Sequence, residues 1–135
     1  MVDFTFHHGA VSVPSLDEAA DWYGRVMGFS VEKKFEIPAI SARVAMLRKG
    51  PLRMEVFEVT NAAPLPDDRR VPNRDLQTHG NKHVAFRVAD LDATIAELEA
   101  MGVEIVFVVR EKYGSGAFIR DCAGNLIEFV CEPED

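Results

Sequence analysis

The sequence predicts an α+β protein that is built from two tandem modules, each with the order strand, helix, three strands (βαβββ). The first observation behind this prediction is that the same order of hydrophobic patterns occurs twice along the 135 residues. The second is a near-constant spacing between matching residues: His83 follows His8 by 75 positions, and Leu91 follows Leu16 by 75. An internal duplication is the simplest explanation of both observations.

The first module is predicted to span residues about 4–59. Residues 4–13 have the β-branched and aromatic composition of a strand, and Pro14 ends it. Ser15 is followed three residues later by Glu18, the spacing of a capping box at the start of a helix, and Gly28 ends that helix. Its predicted buried stripe is Leu16, Ala20, Tyr23 and Met27. Three more strands are predicted at residues 29–37, 41–48 and 52–59.

The second module is predicted to span residues about 81–132, beginning with a strand at residues 82–88. Asp90 is the predicted N-cap of a helix that ends at Gly102, with Leu91, Ile95, Leu98 and Met101 as its apolar stripe. Further strands are predicted at residues 103–110, 117–121 and 126–131, with a loop tip at residues 114–116.

A connection at residues 60–80 separates the modules and has no apolar period. It contains three prolines and seven charged or amide residues of the Asp, Arg and Asn types between residues 64 and 75. Such a long irregular segment is either a linker or a cover over an active site, and both interpretations stay open here. By its length, the chain is predicted to be a single domain.

Composition excludes several classes of function. The formal net charge of −7 repels a phosphate backbone, so no nucleic-acid partner is expected. The sequence has no apolar run long enough to span a membrane and no signal-peptide pattern at its start. Only two cysteines occur, Cys122 and Cys131, and the second lies in an apolar strand pattern typical of a buried thiol. We therefore expect a cytoplasmic protein without a membrane partner.

Each module has one histidine in its first strand and one glutamate in its last strand that are candidates for a catalytic or metal-binding role. Glu55 and Glu128 have apolar neighbours on both sides, so alternation places each carboxylate on the face opposite the helix. His83 takes the same face by alternation with Val84, Phe86 and Val88. A single strand histidine is more often structural and a single strand glutamate more often solvated, but matched positions in two modules favour a shared role.

Two imidazole nitrogens and two carboxylate oxygens suit one divalent transition metal ion, such as Zn, Ni, Co, Fe or Mn, better than Ca or Mg. The predicted ligands are His8, Glu55, His83 and Glu128. Four protein ligands around an octahedral ion leave two positions for water or substrate, which is typical of a catalytic site. His7 and His79 have no matching residue in the other module and are expected to be solvent-exposed or in a loop.

The sequence resembles the vicinal oxygen chelate superfamily, which includes glyoxalase I, methylmalonyl-CoA epimerase, extradiol dioxygenases, fosfomycin-resistance proteins and bleomycin-binding proteins. The resemblance covers nearly the whole chain except the connection at 60–80. The residues that carry it are 8–14, 16–19, 22–23, 27–29, the strand with Glu55, 83–88, 90–92 and 124–128.

The resemblance implies a cupped, eight-stranded mixed sheet with helices on its outer face, a metal ion inside the cup and a homodimer. His8, Glu55, His83 and Glu128 match the four ligand positions of the family. Ring-cleaving dioxygenases and fosfomycin-resistance proteins usually have no glutamate at the second position. Glu55 therefore favours the glyoxalase I and methylmalonyl-CoA epimerase branch.

The expected function is a metal-dependent isomerase, epimerase or lyase that acts on a small substrate with vicinal oxygens through a metal-stabilised enediolate or enolate. Glu128 is the first candidate for the general base and Glu55 the second, because glyoxalase-like members use the last-strand glutamate in this way. The alternatives are a ferrous dioxygenase of the same superfamily and a small-molecule binding or resistance protein without turnover.

Substrate contacts are expected from the side of the sheet that carries the glutamates. Arg43, Arg53 and Arg87 are predicted to face this side, where they could bind a carboxylate or phosphate; solvated surface charges are the alternative. Tyr113 and Ser115, with the flanking glycines 114 and 116, are predicted to form a cover together with Arg74 and His79.

Overall fold

The computed structural model describes residues 1–133 and divides the chain into two compact units. The first unit runs from Met1 to Pro64 and the second begins at Leu65. Each unit contains one module with the predicted order, so the α+β class and the two βαβββ modules are confirmed. The boundary falls inside the predicted connection, most of which belongs to the second unit. That both modules form one domain stays a prediction.

The first unit is a four-stranded mixed sheet with one long helix. Its strand order is β1-β4-β3-β2, in which β1 and β4 are parallel and the other pairs are antiparallel. A single 3₁₀ turn, Pro38–Ile40, joins β2 to β3. The elements are β1 Gly9–Ser12, α1 Leu16–Met27, β2 Ser30–Ile37, β3 Ala42–Lys49 and β4 Leu52–Val59.

The second unit repeats this topology, with the strand order β5-β8-β7-β6 and a parallel β5–β8 pair. A 3₁₀ turn, Asp67–Arg70, and a short helix precede the module. The elements are α2 Pro72–Asp75, β5 Val84–Arg87, α3 Leu91–Ala100, β6 Phe107–Glu111, β7 Gly114–Arg120 and β8 Leu126–Cys131. The described helices include none that is long and apolar enough to cross a membrane.

Both long helices begin where the capping residues predict. The Ser15 side chain accepts a hydrogen bond from the backbone N–H of Glu18, and Asp90 accepts one from the backbone N–H of Ala93. Gly28 ends α1 with φ of 79°, a left-handed conformation that favours glycine. Because these ends are set locally, the start of each helix could be predicted from a few residues.

The buried stripes differ from the prediction at three positions. In α1, Ala19 is fully buried and Ala20 is half-buried. In α3, Leu91 and Leu98 are buried, but Ile95 is half-buried and Met101 at the end of the helix is exposed. Burial of each large apolar side chain contributes about 1.5–3 kcal/mol to folding, so α1 is anchored to its sheet more strongly than α3. Cys131, expected to be buried, is only half-buried.

The first strand is shorter than predicted because its partner, β4, does not extend far enough to pair with the first predicted residues. Gly9 pairs with Met54 of β4, and β4 begins at Leu52 after a turn. Residues before position 7 therefore have no facing strand, although their composition is typical of one. Phe4 and Phe6 are each 82% exposed as a result.

Residues 114–116 do not form the predicted loop tip but begin β7. Ser115 and Gly116 pair with β6 on one side and with β8 on the other, and the turn is formed by Lys112 and Tyr113. The predicted strand at 103–110 correspondingly begins later, at Phe107. Gly114 has φ of 142°, a conformation open to glycine, which allows the turn to close immediately before the strand.

The connection is anchored within the second unit by one buried carboxylate. Asp75 is 1% exposed, and its Oδ1 accepts hydrogen bonds from Arg69 at 3.1 Å and from Lys82 at 3.3 Å. The Lys82 ammonium also donates to the carbonyl oxygens of Asp75 and Thr78. Because Lys82 immediately precedes His83, these bonds tie the connection to the start of β5. The part of the connection around Asp75 is therefore held to the second module, and its role as a cover stays a prediction.

Candidate metal centre

The first unit places His8 next to Glu55. Met54 and Val56 are buried against α1, so alternation turns Glu55 to the other face of β4. Ala10 is directly opposite Glu55 on β1, and His8 lies two residues before it, on the same side. The distance from His8 Nε2 to Glu55 Oε1 is 3.5 Å.

The second unit repeats this arrangement with His83 and Glu128. Ile127 and Phe129 are buried, and Ala85 is opposite Glu128, as Ala10 is opposite Glu55. His83 Nε2 lies 2.8 Å from Glu128 Oε2. Both glutamate side chains are 17% exposed, so they are shielded but reachable from solvent. Each predicted histidine thus lies beside the predicted glutamate of its own module.

The donor atoms of each pair fit a divalent transition metal. Two atoms bound to one ion by bonds of about 2.1 Å lie about 3 Å apart when the bonds are at right angles. The measured separations of 3.5 Å and 2.8 Å are on either side of this value. Within residues 1–133, no three His, Cys, Asp or Glu side chains form a group that could hold a metal ion. The meeting of the two pairs at one ion stays a prediction.

His7 belongs to the neighbourhood of the first pair, although the sequence suggested only an exposed residue. It is exposed, but its Nδ1 lies 2.6 Å from the Nδ1 of His8, so one ring donates a hydrogen bond to the other. This bond occupies Nδ1 of His8 and leaves Nε2 directed at Glu55. Its exposure agrees with the prediction, but its contact with His8 could not be inferred from the duplication, because His7 has no matching residue in the second module.

Phe118 and Gly116 on β7 shape the surroundings of the second pair; Phe118 was not singled out from the sequence, and Gly116 was named only as a flank of the predicted cover. The Phe118 ring contacts the His83 ring edge-on, with centroids 4.9 Å apart. A Cβ atom on Gly116 would lie 2.4 Å from Glu128 Oε1, closer than atoms can approach. The Glu128 carboxylate therefore occupies space that exists only because residue 116 has no side chain.

Gly116→Ala is expected to move the Glu128 carboxylate away from His83 and to weaken divalent metal binding by about 10- to 100-fold. The fold should persist, because the clashing atom is the end of a flexible side chain. Titration calorimetry with Zn²⁺ on the full chain measures the affinity. Val108→Ile adds a methyl group at an exposed position of β6 that pairs with Ala117, and should leave the affinity unchanged. Equal affinities for Gly116→Ala and the parent chain would contradict the role of this glycine.

Arg43 does not share a face with Glu55, which corrects the prediction. It pairs with Glu58 of β4 and lies 3.2 Å from that carboxylate and 3.7 Å from Asp17 of α1. Glu58 also accepts the backbone N–H of Leu16, at the start of the helix. Met46 is opposite Glu55, and side chains alternate along β3. Arg43, three residues before Met46, therefore points to the other face of the sheet, toward the helix.

Arg53 does share the face of Glu55, but it is engaged by another side chain. Its guanidinium donates two hydrogen bonds to Glu32, at 3.0 Å and 3.2 Å, and Arg48 contacts the same carboxylate. The hydrogen bond from Arg53, followed by its charge, lowers the pKa of Glu32, and the same hydrogen bond raises the pKa of Arg53. Both groups stay charged, and the cation at position 53 is already compensated.

The remaining predicted substrate contacts lie in the second unit. Arg87 is on the face of Glu128, exposed, and ion-paired with Glu132 at 2.9 Å. Tyr113 and Ser115 line a cavity of about 400 Å³ that also contains His83 and Glu128. Of the connection, Pro72, Asn73 and Leu76 line this cavity, whereas the predicted cover residues Arg74 and His79 are not among its lining residues. Arg74 is paired with Asp68, and His79 is exposed in a loop.

The chain belongs to the Glyoxalase/Bleomycin resistance protein/Dioxygenase superfamily, whose family profile matches residues 5–129. The resemblance that the sequence suggested is thereby confirmed.

Curated relatives include three named enzymes. The chain is 34% identical to 2-epi-5-epi-valiolone epimerase of an Actinomyces species, over 74% of this chain and 61% of that protein. It is 26% identical to lactoylglutathione lyase of Pseudomonas aeruginosa, over 95% of this chain and 82% of that one. It is 30% identical to 4-hydroxyphenylpyruvate dioxygenase of Caenorhabditis elegans, over 85% of this chain but only 29% of that enzyme. The epimerase and the lyase agree with the predicted branch.

A solved structure shows the same fold. The glyoxalase family protein from Enterococcus faecalis has a TM-score of 0.78 and 21% identity, over 93% of this chain and 96% of that one. Two βαβββ modules, each with a mixed sheet and a packed helix, are therefore the glyoxalase-like fold of this superfamily.

Proposed function

We propose that the chain is a divalent-metal-dependent isomerase or epimerase, or a lyase, that acts on a small substrate with vicinal oxygens. The observation that carries the proposal is the repeated His–Glu pair: His8 with Glu55, and His83 with Glu128, at matching register positions of the two modules. Relatives named as an epimerase and a lyase support it. We propose that all four side chains hold one transition metal ion of the Zn, Ni, Co, Fe or Mn type.

A bound divalent ion would supply a Lewis acid that stabilises negative charge on the oxygens of a carbonyl substrate. The chain itself must remove the proton from the carbon next to that carbonyl. A carboxylate within reach of the substrate is the suitable base, and Glu128 and Glu55 are the two candidates.

The surroundings of the two carboxylates favour Glu128 as the base. Gly116 pairs with Val130, two residues after Glu128, and its missing side chain leaves the space that the Glu128 carboxylate occupies. At the matching position of the first module, Val44 pairs with Phe57, two residues after Glu55, and carries a fully buried side chain. Glu128 therefore has no side chain beside it at position 116, whereas the matching position of the first module carries the Val44 side chain. In this proposal Glu55 acts mainly to hold the metal.

Purification without chelators tests the proposal. The purified chain is expected to contain about one divalent ion per chain. It is also expected to sediment as a homodimer, in which the exposed Phe4 and Phe6 would be covered. The loaded protein should catalyse exchange of deuterium from D₂O into the carbon next to the carbonyl of a vicinal oxygen substrate, followed by NMR. Protein that binds no transition metal at micromolar concentration, or that never exchanges this proton, would contradict the proposal.

A ferrous dioxygenase is the second candidate, favoured by the similarity to the C. elegans dioxygenase. Consumption of dissolved oxygen by the iron-loaded chain with catechol or an arylpyruvate would support it. Glu55 argues against it, because ring-cleaving dioxygenases of this superfamily usually have no glutamate at the second ligand position.

A further inference from the structure

The cavity beside His83 and Glu128 is lined mainly by apolar side chains. Phe107, Val109, Phe118 and Val130 contribute its sheet wall, and Pro72 and Leu76 contribute from the connection. A volume of about 400 Å³ with few polar groups is typical of a site for a small organic molecule. Leu76, Tyr113 and Phe107 are exposed at this place, so an apolar surface is open to a ligand.

Three rings form a continuous aromatic wall next to the catalytic pair. The Phe107 and Phe118 centroids are 6.4 Å apart at an interplanar angle of 47°, and Phe118 contacts the His83 ring edge-on. Phe118 is buried within the unit, so its ring position is set by packing. Aromatic rings in such arrangements favour a further ring or an apolar group over a hydrated one.

No lysine or arginine is among the lining residues of this cavity in the described part of the chain. Its carboxylates are Glu128 and Glu132. Arg87, the cation on this face, is paired with Glu132, and the Lys82 ammonium is bound to Asp75 and two backbone carbonyls. An anionic substrate group would therefore meet the Glu128 carboxylate and the mutually compensated Arg87–Glu132 pair, with no uncompensated positive side chain.

We infer that this cavity binds an uncharged, apolar group of the substrate, with an aromatic ring preferred, while the vicinal oxygens lie toward His83 and Glu128. The inference rests on the proposed function only for the position of those oxygens. It replaces the expectation that arginines recognise a carboxylate or phosphate, since Arg43 faces the helix and Arg53 and Arg87 are paired.

Two matched probes test this inference: neutral 2-hydroxyacetophenone and its 4-carboxylate, which differ by one negative charge on the ring. Binding to the full chain is followed by backbone amide NMR. The neutral probe is expected to bind at least about tenfold more tightly and to shift the signals of Gly114, Gly116 and Phe118. Equal or tighter binding of the carboxylate, or shifts that leave these residues unchanged, would overturn the inference.

A pair of adjacent valines provides the variant and its control. Val109→Lys places an ammonium on the cavity wall and is expected to reduce the preference for the neutral probe by about tenfold. Val108 pairs with Ala117 on the other face of β6 and is already exposed, so Val108→Lys should leave the preference unchanged. An identical change in both variants would indicate a general charge effect and would overturn the assignment to this cavity.

Deuterium exchange at the hydroxymethyl carbon of the neutral probe, measured in the same samples, separates the two proposals. The expected binding preference without exchange supports the apolar cavity and contradicts the proposed reaction. Deuterium exchange together with equal binding affinities for the two probes supports the reaction and contradicts the apolar cavity.

Discussion

Glu128→Gln is expected to slow proton exchange at the substrate carbon by about 100- to 10,000-fold, because the amide cannot act as a general base. Glutamine keeps the length and shape of the side chain and can still hydrogen-bond to His83, which lies 2.8 Å from the carboxylate. The fold should therefore be retained. The exchange rate is measured by NMR in D₂O at saturating metal concentration, with circular dichroism as the check on folding.

Glu55→Gln is the informative comparison for this variant. Its carboxylate lies at the matching position, and the proposal assigns it to holding the metal, so its loss should weaken metal binding more than it slows exchange at saturating metal. Glu99→Gln on the exposed side of α3 should change neither quantity. If Glu55→Gln abolishes exchange under these conditions while Glu128→Gln retains it, the assignment of the base is wrong.

Asp75→Ala is expected to destabilise the second unit by about 3–5 kcal/mol. Asp75 is almost fully buried, and its removal leaves the shielded Lys82 ammonium and the Arg69 guanidinium without their carboxylate. The free energy of unfolding in urea, followed by amide NMR signals of β8, measures the loss. Metal affinity should fall as well, because Lys82 precedes His83 and helps to position the start of β5.

Asp68→Ala is the matched control within the same connection. Asp68 and Arg74 form an ion pair at 3.3 Å in which both side chains are about 70% exposed, so its loss should cost between about 0 and 1 kcal/mol. The double variant Asp75→Ala with Lys82→Met should recover part of the stability, since it removes the uncompensated charge. A similar loss for Asp75→Ala and Asp68→Ala would show that the buried anchor contributes little.

The duplicated modules are equivalent in topology but differ where chemistry is expected. Each has a histidine and a glutamate that meet across a parallel strand pair. One carboxylate lies over a glycine and the other beside a buried valine. This difference follows from which residues face each other across β7–β8 and β3–β4, and it breaks the near symmetry that the sequence alone leaves between the two glutamates.

Several features could be predicted because they depend on neighbours in the chain. The helix starts at Ser15 and Asp90, the left-handed Gly28 and the strands with Glu55 and Glu128 each follow from residues within one turn or one strand. Alternation with buried apolar neighbours was enough to place each glutamate on the face of its own sheet that is opposite the helix. The face of Arg43 was predicted wrongly, because it depends on the register between β3 and β4, which no local pattern encodes.

From its amino-acid order alone, this protein could be assigned two βαβββ modules and a histidine and a glutamate in each, since capping, periodicity and repetition are local properties. Packing across strands settled the rest. It places Gly116 where the Glu128 carboxylate needs space, buries Asp75 beside Lys82, pairs Arg53 and Arg87 with carboxylates, and lines the cavity of the second unit with apolar side chains. These properties depend on contacts between residues that are distant in sequence, so they arise only when the strands pair.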